Sequence, residues 1–311
     1  MVLRVGVIGV GAWGRNHVRV YSELPEAELA FIADVNEERA RSMAKRYHVN
    51  YSTNYRDVTK YDVDAVSICV PTSVHYEVAK FMIESGIHIL IEKPLTANYG
   101  LAKELVELAK DRGVRLMAGF IERFNPAVTY TKKLVSEGKV GKILAMYSER
   151  VSPRPLRIMD VNVLYDLGIH DVDVVRFILG CKVIQVYCEL RKCKAELHDF
   201  AQLLLRLEGD IVAYVSTNWL TPKKIRLLRV LGTDGLITAN YITQEVVIEN
   251  NEGTFIPNKP YQEPLKLELS HFINSIIRGE KFIAEGIDAL ETLKILSLAE
   301  ESARRGTPIT P

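Results

Sequence analysis

Through the first part of the chain, short apolar runs alternate with stretches whose apolar residues recur every three or four positions. That alternation is the mark of βαβ units. It predicts strands at 3–8, 29–33, 65–70, 88–91 and 115–118, with helices near 13–24, 37–47, 73–85 and 99–112. Gly86 and Gly113 stand where two of these helices need a left-handed residue to stop. Strands joined through helices pair in parallel, so residues 1–120 are expected to form a doubly wound α/β domain.

The pattern changes after Phe120. Asn125-Pro126 predicts a helix start, with Asn as cap and Pro at the first helical position. A strand at 142–151, an irregular loop at Ser152-Pro153-Arg154-Pro155 and a helix at 163–179 follow. Strands then dominate, at 183–190, 200–207, 211–219, 225–231, 236–241 and 245–249. Glu208-Gly209-Asp210, Thr221-Pro222 and Thr233-Asp234-Gly235 are read as their turns. Short turns make such strands antiparallel. With helices at 265–278 and 286–305, residues 121–311 are expected to be an α+β domain: a largely antiparallel sheet covered on one side. Phe200, Leu204, Val212, Tyr214, Leu228 and Val230 give that sheet apolar character on both faces, which favours a subunit interface on the open one.

Composition narrows the picture by exclusion. The 311 residues carry a net charge of +1, with 48% hydrophobic and 25% charged residues, an ordinary globular balance. Nothing in it calls for nucleic acid or an acidic membrane surface as partner. No apolar run approaches the roughly 18 residues of a membrane span. The N-terminus enters a strand directly, without room for a signal peptide, and a cytoplasmic location is expected. Cys69, Cys181, Cys188 and Cys193 lack the close paired spacing of a zinc site, and no metal is expected.

Gly9-Val10-Gly11-Ala12-Trp13-Gly14 is G-x-G-x-x-G between the first strand and the first helix. The glycines permit a tight turn, close approach of a pyrophosphate to the backbone around Gly11, Ala12 and Trp13, and close helix–strand packing. The helix N-terminus offers N–H groups to the phosphates. Asp34 ends the second strand about 20 residues further on, where a carboxylate accepts from ribose hydroxyls and repels a 2′-phosphate. NAD is therefore favoured over NADP, with Arg39 assigned to the solvated face of the next helix. Pro71, Thr72 and His75 open another helix at the same sheet edge; the Thr72 backbone and hydroxyl suit a nicotinamide ribose, and His75 is either a contact there or a helix-surface residue.

Glu92-Lys93-Pro94 puts a lysine just beyond an apolar strand, at the carboxyl edge where ligands of open α/β sheets sit. Asp166 and His170, four apart in a predicted helix, share one face. Oxidising an alcohol with NAD needs a base for the hydroxyl proton and charge that favours the developing alkoxide. His170 suits the base, Lys93 the charge, and Asp166 can hold the hydroxyl or orient the histidine. Singly, each has a plain alternative: a strand-end lysine, a first-turn acid complementing the helix dipole, a satisfied buried histidine. Asp171 and Asp173 are read as decoration on that helix.

Together, the glycine loop, Pro71-Thr72-x-x-His75, Glu92-Lys93-Pro94, Gly119-Phe120-Ile121-Glu122-Arg123-Phe124-Asn125-Pro126 and Asp166-x-x-x-His170 resemble the glucose–fructose oxidoreductase/inositol dehydrogenase/MocA family over essentially the whole chain. The resemblance implies a Rossmann domain followed by an open-faced sheet domain, and a homodimer or homotetramer joined through that sheet. It makes Lys93 and His170 the catalytic pair, Asp166 a contact to the reacting sugar, and Glu92 and Lys93 neighbours of the cofactor. Arg150, Arg154 and Arg157 bracket the Pro-rich loop and are expected to meet the substrate, since clustered guanidinium groups suit a diphosphate, and Arg123 is assigned to the substrate as well. Arg150 to Asp173 looks similar to the branch acting on UDP-N-acetylhexosamines at the sugar 3-position. A free sugar or inositol dehydrogenase is the alternative, and a non-catalytic NAD-binding ligand sensor the alternative of another class.

Overall fold

The computed structural model describes residues 2–155 and 160–311. Arg157 lies outside the described residues. Contacts divide the chain into two compact units, Met1–Ile121 with Leu265–Leu290, and Glu122–Pro264 with Glu291–Pro311.

The first unit is built on β1 (Leu3–Ile8), α1 (Gly14–Glu23), β2 (Ala27–Ala33), α2 (Glu37–Tyr47), β3 (Asn50–Ser52), β4 (Ala65–Ile68), α3 (His75–Glu84), β5 (His88–Glu92), α4 (Tyr99–Asp111) and β6 (Leu116–Gly119). Its sheet runs β3-β2-β1-β4-β5-β6, with every pairing parallel. Val5, Val7, Ala65, Val66, Ile68 and Ile89 are fully buried, as expected where helices cover both faces. The pattern did not foretell β3 or the 3-10 turn at Tyr55–Lys60, because these segments are short and mostly polar. The helix expected at 73–85 is a 3-10 turn over Thr72–Val74 followed by α3.

In the second unit, α5 (Pro126–Ser136) has the expected start: Asn125 accepts the N–H of Ala127 at 3.1 Å, and Pro126 stands in the first turn. Then come β7 (Ile143–Pro153), α6 (Ile169–Leu179), β8 (Val183–Arg191), β9 (Phe200–Leu207), β10 (Ile211–Asn218), β11 (Leu220–Gly232), β12 (Gly235–Asn240), β13 (Val246–Asn250) and β14 (Gly253–Phe255). The chain closes with α7 (Pro264–Arg278), which from Leu265 onward falls in the first unit, and α8 (Gly286–Arg305), which begins in the first unit and continues in the second.

The second sheet runs β14-β13-β12-β11-β7-β10-β9-β8 and is mixed: β10 lies parallel to β7, the other pairs antiparallel. Parallel pairing is possible here because α6, β8 and β9 intervene and supply the long crossover it requires. Two expected breaks are absent. β7 continues through Ser152 to Pro153, and Thr221-Pro222 lies inside β11, where a register shift between Leu220 and Ile225 absorbs the proline's missing donor. Ala201, Leu203, Leu205, Ala213, Val215, Leu228 and Val230 are buried on one face. On the other, register aligns Tyr187, Leu204, Tyr214, Tyr147 and Arg229 across β8, β9, β10, β7 and β11. Among the described residues, no helix is long and apolar enough to cross a membrane.

Candidate active site

The strand order of the first unit reverses between β1 and β4, and the glycine loop leaves β1 at that point. Gly9 has φ of 87°, and a Cβ there would lie 2.7 Å from the Cys69 carbonyl oxygen beyond β4. A Cβ on Gly14 would lie 1.8 Å from the Gly9 oxygen, so both ends of the loop require glycine. Gly11 is different: a Cβ there would meet only Arg39 Nη1, at 3.6 Å. The middle of the loop is thus open on the side a pyrophosphate would approach, and the residues present fit NAD.

Asp34 stands just after β2 and is buried. Its Oδ2 accepts the N–H of Val10 at 2.9 Å and its Oδ1 the N–H of Asn36 at 2.9 Å, fixing the carboxylate beside the loop. Arg39 is exposed on α2, as its place in the sequence suggested, and its guanidinium also reaches back to this carboxylate.

Glu92, the last residue of β5, is buried and anchors the other side of the loop. Its Oε1 accepts from Trp13 Nε1 at 2.8 Å, and His17 Nε2 lies 3.2 Å from the same oxygen. Burial would raise its pKa, but His17, Trp13 and the charge of Lys93 together hold it below the ordinary value. Gly119 pairs with Glu92 across β6, and a Cβ there would come within 3.0 Å of the carboxyl group. His17 was not singled out in the sequence, and Gly119 only as the first residue of a longer motif, though a glycine in a short apolar strand was the signal for a close approach. Lys93 follows β5, and its peptide bond to Pro94 is cis.

His75 is a buried residue of α3, not a surface one. Its Nδ1 faces the Pro94 carbonyl and its Nε2 the Val70 carbonyl, both at 2.9 Å. The residue clips the end of β4 to the backbone beside Lys93. Thr72 is buried at the start of the 3-10 turn, and Pro71 immediately precedes it.

In the second unit, Asp166 and His170 occupy one winding segment, but not a uniform helix. Leu164–Gly168 is a π turn that passes into α6 at Ile169. Such turns are rare and concentrate at functional sites. Asn162 caps the turn, accepting from Leu164 N at 3.0 Å, while its Nδ2 donates to Glu300 at 2.9 Å. Tyr165 also donates to Glu300, at 3.1 Å, so α8 braces the segment. A Cβ on Gly168 would press on Leu164 Cδ1 of the same turn at 3.1 Å and make only an ordinary contact, 3.4 Å, with Thr217 of β10. Asp166 is buried and His170 half-buried.

The expected arginine cluster divides. Arg123 donates to both oxygens of Asp173, from Nε at 2.8 Å and Nη2 at 2.7 Å. Arg150 donates to Asp171 at 2.7 Å from Nε and to Glu122 at 2.7 Å from Nη1. Both guanidinium groups are buried among carboxylates instead of standing open for a phosphate. Asp171 and Asp173 are accordingly not decoration. Two positions apart on a helix buried on nearly every side, they face different directions, and each needs a cation. Arg154 is exposed just after β7, and Lys223 and Lys224 are exposed in the irregular part of the neighbouring strand β11. Trp219 is buried between β10 and β11. No group of ligating residues that could hold a metal occurs among the described residues.

A parallel sheet in this order, with a glycine loop at its reversal and a buried acid fixed beside that loop, defines a dinucleotide-binding domain. Residues 3–120 match the oxidoreductase family with NAD-binding Rossmann fold, and residues 128–238 match the GFO/IDH/MocA C-terminal domain. The chain belongs to the GFO/IDH/MocA family and is an NAD-dependent oxidoreductase acting on hydroxyl groups. It is 28% identical over 295 residues to UDP-N-acetylglucosamine 3-dehydrogenase of Acidithiobacillus ferrooxidans, covering 92% of each chain. The structure of that enzyme superposes with a TM-score of 0.90 at 26% identity, covering 98% of this chain and 99% of the other. Myo-inositol 2-dehydrogenase of Thermotoga maritima is 27% identical over 320 residues, covering 96% of each.

Proposed function

We propose that the chain oxidises a secondary hydroxyl of a nucleotide sugar, in the manner of a UDP-N-acetylglucosamine 3-dehydrogenase. The observation that carries this reading is the 28% identity over 92% of both chains to an enzyme of that name. The exposed cations Arg154, Lys223 and Lys224 support it, because they offer a diphosphate what the buried Arg123 and Arg150 do not. NAD, when bound, accepts the hydride from the carbon being oxidised.

His170 takes the hydroxyl proton, Lys93 lowers the cost of the developing negative charge on oxygen, and Asp166 holds the hydroxyl in place. Asp34 meets the adenosine ribose, and the backbone of Gly11, Ala12 and Trp13 meets the pyrophosphate. The chain works as a homodimer or homotetramer joined through the outer face of the second sheet. Tyr147 and Tyr214 stack there with centroids 5.3 Å apart and rings 4° from parallel, while 42% and 44% exposed.

A free polyol is the second reading, favoured by the 27% identity to myo-inositol 2-dehydrogenase. Absorbance at about 340 nm with NAD and a panel of UDP-sugars, free hexoses and inositols tests both, since reduced nicotinamide reports hydride transfer directly. Reduction with UDP-N-acetylglucosamine alone is expected. Signal only with free sugars or inositols would overturn the nucleotide-sugar reading and leave the roles of Lys93, Asp166 and His170 intact.

A further inference from the structure

Asp34 is the charge that should exclude an adenosine 2′-phosphate, yet in this chain it is not an isolated anion. Arg39 Nη1 lies 3.1 Å from its Oδ2 and 3.3 Å from its Oδ1. The arginine side chain is 48% exposed and the aspartate 5%, so the pair has one buried and one open end. The same nitrogen stands 3.6 Å from where a Cβ on Gly11 would be, which sets the guanidinium over the open middle of the glycine loop. Its backbone is fixed too: the Arg39 N–H donates to Asn36 Oδ1, the cap of α2, at 2.9 Å.

Repulsion of a 2′-phosphate requires net negative charge beside the ribose. Here a cation pairs with that charge, and a guanidinium carries five N–H donors, more than one carboxylate can use. The remaining donors are on the half-exposed end, where phosphate oxygens make strong charge-assisted bonds.

We propose that Arg39 is a specificity-determining residue of the cofactor site: by pairing with Asp34 it lets the chain bind NADP(H) as well as NAD(H). The preference for NAD(H) persists, because Asp34 still accepts from ribose hydroxyls, but it is shallow. This inference rests on NAD binding and is independent of the sugar that is oxidised.

The test is titration of the purified protein with NADH and NADPH, without substrate, following tryptophan fluorescence; Trp13 in the loop is the near reporter. Wild-type protein is expected to bind both, NADH tighter by less than about tenfold. Arg39→Gln should weaken NADPH by roughly tenfold or more and NADH by less than about threefold, while Arg39→Lys, which keeps the charge but not the fork of donors, retains only part of the NADPH affinity. Circular dichroism of each variant confirms that α2 and the fold are retained. Absence of saturable NADPH binding by the wild type, or a ratio of the two dissociation constants that Arg39→Gln leaves unmoved, would overturn the assignment.

Discussion

Trp13 donates its indole N–H to Glu92 Oε1 at 2.8 Å, so the glycine loop after β1 is tied to the residue that precedes Lys93. One carboxylate thereby couples a loop shaped for phosphate to a strand end that carries the proposed catalytic cation. His17 adds a second contact to the same oxygen, and Gly119 leaves the space the carboxyl group fills.

That coupling has a pH signature. The Glu92 pKa lies below the ordinary 4.5 in the folded chain. A depressed carboxylate stabilises the fold fully above its unfolded value and loses that contribution as pH falls through the folded one. Glu92→Gln is expected to cost about 1.5–3 kcal/mol at neutral pH, the worth of hydrogen bonds to a charged group, and progressively less as pH drops below 4.5. Urea unfolding of both proteins across that range checks it. A cost independent of pH would show that shape, not charge, is what Glu92 contributes.

For the proposed chemistry, Lys93→Ala and His170→Ala should each lower turnover by roughly 10²-fold or more, the scale of general acid–base catalysis. NAD binding should persist in both, since neither residue shapes the glycine loop. His75→Ala should lower kcat with a smaller change in KM, because its ring holds the Val70 carbonyl and that of Pro94, the residue after Lys93. Steady-state kinetics paired with NADH titration separates the three. Full turnover in either alanine variant of Lys93 or His170 would strike that residue from the mechanism.

Arg150 should behave as a structural cation. Burial alone would lower its pKa, but Asp171 and Glu122 outweigh that and hold it above the ordinary value. Arg150→Met would leave the buried Asp171 and the half-buried Glu122 without their cation, a loss of about 3–5 kcal/mol. The expected result is a large drop in Tm. An unchanged Tm with a raised KM for a nucleotide sugar would instead return Arg150 to the substrate.

The fold was legible wherever period and punctuation agreed. Apolar runs such as Ile89-Leu90-Ile91 marked the parallel strands, and Asn125-Pro126 marked the start of α5. The parallel pairing of β10 with β7 was not, because strand direction depends on which distant strand becomes the neighbour, and short turns report only on consecutive ones. Thr221-Pro222 misled for a related reason: a proline inside a bulge has the same local signal as one in a turn. In the site, Gly9, Gly14 and Asp34 could be placed because their spacing reflects backbone mechanics. Arg123 and Arg150 could not, since an arginine facing a buried acid and one facing a phosphate look alike until the acid's position is known. Asp171 and Asp173 held the missing information: two acids set among Ile169, Val172, Val174 and Val175 on one helix signal buried cations nearby.

The outer face of the second sheet carries the last prediction. Tyr187, Leu204, Tyr214, Tyr147 and Arg229 align across five strands by register, and the two central tyrosines are stacked and half exposed. A flat row of aromatic and aliphatic groups on a sheet face is matched best by a second copy presenting the same row in reverse about a two-fold axis. Tyrosines at the centre of such a contact dominate its energy. Tyr214→Glu would set like charges against each other across the axis, and is expected to raise the dissociation constant of the assembly by about thirtyfold or more. Because the side chain points away from the buried face, the monomer fold should survive, as circular dichroism would show. Sedimentation velocity over a concentration series measures the change. A folded variant with unaltered assembly would move the interface elsewhere on the chain.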